Sequence, residues 1–146
     1  MSLHNVLTQL AVVEAEITGV QRAHAYPPES VDEMPAFVNF IDEGNYGRFP
    51  IDLRTETGKR TIIHHIQAIL YVCDGEADFV EAHSRATPYL ESSLTKFEAE
   101  ITLNSTCIQQ LPLTYSLREL EYAGQGLWGL LFELEVTERT VATFTA

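Results

Sequence analysis

Leu3, Val6, Leu7, Leu10, Val13 and Ile17 recur at three- and four-residue steps through residues 2–17. That spacing predicts an amphipathic first helix, and Gly19 is placed to end it. Val20–Tyr26 then reads as a short strand, stopped by Pro27-Pro28-Glu29-Ser30 because proline cannot donate to a ladder. After a turn through Asp32 and Glu33, Pro35–Ile41 is β-rich and reads as a central strand. Thr61–Cys73 alternates: Ile62, His64, Ile66, Ala68, Leu70 and Val72 share one face, and Ile63, His65, Gln67, Ile69, Tyr71 and Cys73 the other. Asp74-Gly75 closes this strand. From Glu76 to about Leu103, Phe79, His83, Ala86, Leu90, Leu94, Phe97 and Ile101 repeat at helical spacing. Pro88 after Thr87 fits a kink or a fresh helix start, so the segment is one bent helix or two in succession. Thr106–Phe144 is strand-like, and a break near Tyr122–Gly126 separates Cys107–Glu121 from Leu127–Glu138.

Residues 42–60 do not follow either period. Asp42, Gly44, Asn45, Gly47, Pro50 and Gly58 punctuate a stretch that also holds Tyr46, Arg48, Phe49, Arg54 and Arg60. It reads as a long hairpin or a mobile loop. Aromatics mixed with arginines are favoured interface anchors, which makes Tyr46, Arg48, Phe49, Arg54 and Arg60 the candidate interface residues. The competing reading is a plain surface segment whose Phe49 and Ile51 fold back on the core. Helix, strands, helix, strands in one chain predicts an α+β fold. Its sheet is mostly antiparallel with helices packed on one face, in a single domain over residues 1–146.

Composition narrows the function classes. With 45% hydrophobic residues and a net charge of −12, the chain is an ordinary globular one. Nucleic-acid gripping is disfavoured, since the nine Lys and Arg residues form no patch in sequence. The apolar runs around Ile62–Val72 and Leu127–Val136 are too short and too polar for a membrane span. Met1-Ser2-Leu3-His4 offers no basic region followed by an apolar one, so a cytosolic product is expected.

Candidate chemistry is sparse. His64 and His65 are neighbours on a strand and so point to opposite faces, one toward the core and one outside, which disfavours a shared metal. Asp74-x-Glu76-x-Asp78 resembles the start of a calcium loop but lacks its glycine at the sixth position and its glutamate at the twelfth. Acidic residues that open a helix are explained by its dipole alone. Cys73 and Cys107 lie on predicted strands among apolar residues and read as buried, inert thiols. Glu133 and Glu135, opposite Phe132, Leu134 and Val136, fit a solvated strand face. Trp128 reads as core or as an interface platform. No catalytic residue, metal ligand or cofactor motif emerges.

Several segments carry a resemblance. Ile17-Thr18-Gly19-Val20, Tyr26-Pro27-Pro28-Glu29-Ser30 and Met34-Pro35-Ala36 are similar to the opening of tail terminator (tail completion) proteins of long-tailed bacteriophages. The strand at Ile62–Val72, the helix with Pro88, and Thr102-Leu103 before the next strand agree. So does Tyr122-x-Gly124 ahead of Trp128-Gly129-x-x-Phe132-x-Leu134-x-Val136. Asn104 departs from the pattern, where glycine is expected, and Asp42–Arg60 matches nothing in it. The resemblance implies a structural virion protein, assembled in the host cytoplasm and ending at the head–tail junction. It implies a homo-oligomeric ring, a hexamer, that caps the tail tube protein and meets the head–tail connector proteins. DNA passes its lumen without specific binding, and no membrane or enzyme activity is involved. A neck protein of the same machinery is the alternative. From other classes come a small acid/base enzyme, which needs a cleft of convergent His, Asp or Glu, and a ligand-binding module, which needs an apolar pocket of roughly 300 Å³.

Overall fold

Helix α1 (Leu3–Ala15) leads into strands β1 (Arg22–His24), β2 (Ala36–Asp52) and β3 (Thr57–Asp74), then helix α2 (Phe79–Ala99) and strands β4 (Gln109–Tyr122) and β5 (Gln125–Thr143). The computed structural model describes residues 3–52, 57–103, 107 and 109–143, and of residues 43–52, 57–61 and 139–143 it describes the backbone. The strands form one sheet in the order β1-β2-β3-β5-β4. Every neighbouring pair is antiparallel except β1 with β2. The architecture is α+β, as the alternation of periods predicts.

α1 forms because its apolar stripe has a core to enter: Val6, Leu7, Leu10 and Val13 are buried. Gly19 follows with φ +92, and a Cβ there would stand 2.9 Å from the Tyr89 hydroxyl, so both backbone and space require glycine. α2 begins at an Asp78 cap whose carboxylate accepts from the Glu81 N–H at 2.7 Å. It runs through Pro88 as one helix, which settles the question of one helix or two. Its buried face is Ala82, Ala86, Ser93 and Phe97. The predicted stripe is therefore partly corrected: Phe79 and His83 are exposed, Leu90 and Leu94 are half-buried, and Ile101 lies beyond the helix end.

Both helices cover the same sheet face. Phe37 from β2, Phe97 from α2 and Phe132 from β5 meet at its centre, with ring centroids 5.4 to 6.3 Å apart. Ile66, Ala68, Leu70 and Val72 face this core, as the alternation predicts. A register shift between Tyr71 and Cys73 brings Cys73 into it as well. Buried Gln110, just inside β4, donates to the Phe97 carbonyl at 2.8 Å and so satisfies an acceptor in the last turn of α2.

The opposite face holds a second, smaller core that the sequence reading did not anticipate. Val31, Ala36, Val38, Ile69, Tyr71, Leu127 and Leu131 are buried there, with Met34 and Tyr122 packed against them. The segment after β1 covers it, and the Tyr122 hydroxyl donates to the Pro28 carbonyl. Gly129 sits where a Cβ would meet Ile69 Cγ2 at 2.9 Å, which explains the glycine beneath this cover.

Candidate functional site

Residues 42–60 fall largely in a hairpin. β2 does not stop at Ile41 but continues to Asp52, and β3 begins at Thr57, earlier than the predicted Thr61. The two strands pair out to Asp52 and Thr57, with register shifts between Ile41 and Glu43 and between Arg48 and Ile51. β5 follows on the other side of β3 as far as Thr143. The result is a three-stranded arm running past the last buried core rung, where His64 pairs with Val136. At about 3.3 Å per residue, the stretch of β3 from Thr57 to His64 spans roughly 23 Å.

The arm collects most of the candidate interface residues. Tyr46 pairs with Ile62, and Arg48 pairs with Arg60 on the rung two residues on. Phe49 falls in the register shift that follows, and Arg54 lies outside the described residues. Asn104 also lies outside them. The arm keeps two edges open among the described residues. β1 pairs with β2 only through Val38, and β4 pairs with β5 only as far as Thr137. Unpaired edges are ready templates for a strand or a backbone from another chain.

Polar groups elsewhere form isolated pairs. His64 Nε2 lies 2.8 Å from Glu138 Oε2, both side chains nearly buried on the helix side of the sheet. His65 falls on the other face and is half-buried, so the expected split between faces is present but neither ring is freely exposed. Glu14 and Asn39 are a buried pair between α1 and β2. The alternation rules did not single them out, although a Glu inside an otherwise apolar helix stripe was a visible signal. Cys73 is on β3 and Cys107 precedes β4, a correction to its predicted strand position; both are buried. Burial pushes the Cys107 thiol up to about 11, and its sulfur lies 3.4 Å from the Thr102 carbonyl, so it is protonated and unreactive at neutral pH. Trp128 is half-buried and donates to the Ala77 carbonyl at 3.0 Å, with Phe79 edge-on to it. Glu133 is exposed, but Glu135 is half-buried and Leu131 on the same face is buried in the second core, so the expected solvated face is present only in part.

One surface groove among the described residues, about 420 Å³, is lined by Glu16, Glu91 and Lys96, and there Lys96 is paired with Glu16 at 2.6 Å. Another, about 680 Å³, lies between Gly19, Met34, Arg85 and Tyr89. A smaller one of about 230 Å³ between α2 and β4 is lined by His83, Leu90, Tyr115 and Leu117. Among the described residues, no group of three or more His, Cys, Asp or Glu side chains is arranged to hold a metal ion. No helix among them is long and apolar enough to cross a membrane. The arm is therefore the feature that most suggests a role. Compared with known proteins, the chain matches no protein-family model and no curated protein.

Proposed function

We propose that the chain is a structural subunit of a long-tailed bacteriophage, a tail terminator that forms a ring, expected to be a hexamer. The ring caps the tail tube, ends its growth and provides the joint to the head connector. The observation that carries this reading is the arm: a paired hairpin holding Tyr46, Arg48 and Arg60, extended by β5 and left with open edges. A ring needs heterologous contacts, one patch of each subunit against a different patch of the next, and a projecting arm supplies one half of such a contact. The segment resemblances noted in the sequence support the same reading, and the net charge of −12 suits a channel that DNA crosses without sticking.

Two measurements test it together: the particle mass of the purified protein at high concentration, with negative-stain images, and its effect on growing tail tubes. Six-membered rings that bind tube ends and arrest elongation are expected. Rings that bind DNA-filled heads and ignore tubes would transfer the chain to the neck-protein alternative. A protein that neither forms rings nor binds either structure would overturn the proposal.

A further inference from the structure

The arm has a chemical counterpart at the other end of the same sheet. Arg48 and Arg60 are direct cross-strand partners, and Arg139 pairs with Thr61 on the adjoining rung. Residues 48–60 hold four of the nine Lys and Arg residues, namely Arg48, Arg54, Lys59 and Arg60, against two acids, Asp52 and Glu56; Arg54 and Glu56 lie outside the described residues, and the register brings Arg139 to the arm. Like charges directly opposite each other destabilise an isolated ladder. Such an arrangement is relieved when an anionic surface docks on it.

At the far end, β3 runs out at Asp74 and β4 turns into β5 after Tyr122. Asp74, Glu76, Asp78, Glu119 and Glu121 are exposed there, and Glu81 beside them is paired with Arg85 at 2.6 Å. The Glu119 carboxylate lies beside Gly75, so the two turns form one continuous surface. In their midst, at the start of α2, Phe79 is 65% and Val80 76% exposed. Phe79 is held in place by His83, at a centroid distance of 4.1 Å, and by the edge of Trp128. A fixed apolar centre with a polar, charged rim is the anatomy of a protein–protein contact. A rim in which one sign prevails, five acids unpaired among the described residues beside the Glu81–Arg85 pair, favours a partner of the other sign. The arm offers cations and aromatics together, Arg48 and Arg60 with Tyr46 and Phe49.

We propose that the arm of one copy docks on the Phe79–Val80 surface of a second copy, so that the chain self-assembles head to tail through opposite charges. This rests on the reading of the arm as an interface and does not depend on the tail function. A pair of copies joined in this way keeps one arm and one receiving surface free, so the contact propagates. Its angle decides between a closed ring and a filament.

The test uses the full chain, with mass measured by sedimentation in about 0.1 M salt, where contacts within the roughly 10 Å screening length persist. Two variants are compared, Arg48→Glu with Arg60→Glu, and Glu76→Lys with Glu119→Lys and Glu121→Lys. Asp74 and Asp78 are left alone because they accept backbone hydrogen bonds. Each variant alone is expected to lose the assembled mass, weakening self-association at least about tenfold, with wild-type circular dichroism and thermal midpoint. An equimolar mixture of the two is expected to reassemble, because each reversed surface then meets a reversed partner. Assembly lost in the arm variant but intact in the receiving-surface variant would overturn this proposal and leave the arm interface standing. Wild-type protein that stays monomeric at every salt concentration would also overturn it, even if the protein still caps tail tubes. So would a monomer whose arm binds only an added polyanion such as heparin.

Discussion

At the scale of single residues, Glu14 and Asn39 form the most consequential pair. Glu14 is fully buried on α1, and Asn39 donates through Nδ2 to Glu14 Oε1 at 2.7 Å and to the His24 carbonyl at 3.0 Å. Glu14 Oε2 and Asn39 Oδ1 are buried with no hydrogen-bond partner among the described residues. A carboxylate can only accept, so ionised Glu14 would leave its Oε2 and the Asn39 Oδ1 unserved, whereas the protonated acid supplies a donor. Burial holds the Glu14 carboxyl well above its usual range, with the Asn39 hydrogen bond pulling weakly the other way. The folded state thus keeps a proton that the unfolded chain releases. Stability is full below the ordinary carboxyl range and falls as pH rises toward the folded pKa, by up to about 1.4 kcal/mol per pH unit. Glu14→Gln supplies an amide donor in the same place without a charge. The variant should match or slightly trail the wild type in urea midpoint at pH 5, exceed it at pH 8, and show a flatter profile between. Identical pH slopes for the two proteins would show that Glu14 ionises freely in the folded state.

At the scale of elements, α2 shows local chemistry setting a boundary. Its Asp78 cap serves the Glu81 N–H, and Asp78→Ala should cost about 1 kcal/mol in a denaturant titration while Asp78→Asn costs far less. Equal losses for the two would mean that the carboxylate charge at the helix start, and not the capping geometry, carries the effect. The same helix shows what a linear pattern can and cannot say. Its existence was legible in the spacing of Ala86, Leu90, Leu94 and Phe97, but Phe79 shares that spacing and is exposed, because periodicity says nothing about where the sheet beneath it ends. Pro88 left one helix or two undecided. Burial of Ala82, Ala86, Ser93 and Phe97 on the sheet holds both halves in line despite the lost backbone donor. β3 is legible almost whole because two different cores cover its two faces, so Ile66–Cys73 is a nearly continuous apolar run interrupted only by Gln67. The cover over Ile69, Tyr71 and Leu131 was invisible. It is made by the irregular stretch around Pro28, Val31 and Met34, which has no period to detect. For the arm, the residue types were legible and the pairing was not. Arg48 and Arg60 are twelve positions apart in the chain, and only the register makes them partners.

At the scale of the whole molecule, a net charge of −12 sets two electrostatic ranges against each other. β3 has 18 residues, so head-to-tail copies would have centres about 60 Å apart. Two charges of that size at that distance repel by about 10 kcal/mol in salt-free water. With a screening length of about 30 Å at 0.01 M, roughly 1 kcal/mol of this survives; at 0.1 M, with about 10 Å, it is negligible. Ion pairs at about 4 Å between an arm and a receiving surface behave differently. They keep about two-thirds of their strength at 0.1 M and about a quarter at 1 M. Long-range repulsion therefore disappears first as salt is added, and short-range attraction only later. Self-association should pass through a maximum near about 0.1 M and decline on both sides, a shape that light-scattering mass measured across a salt series would reveal. Burial of the apolar centre at Phe79 and Val80 alone would instead give association that never falls as salt rises. The arm variant Arg48→Glu with Arg60→Glu, whose two reversals take the net charge from −12 to −16, should show no maximum at all. It retains the long-range repulsion and has lost the attraction that repulsion opposes.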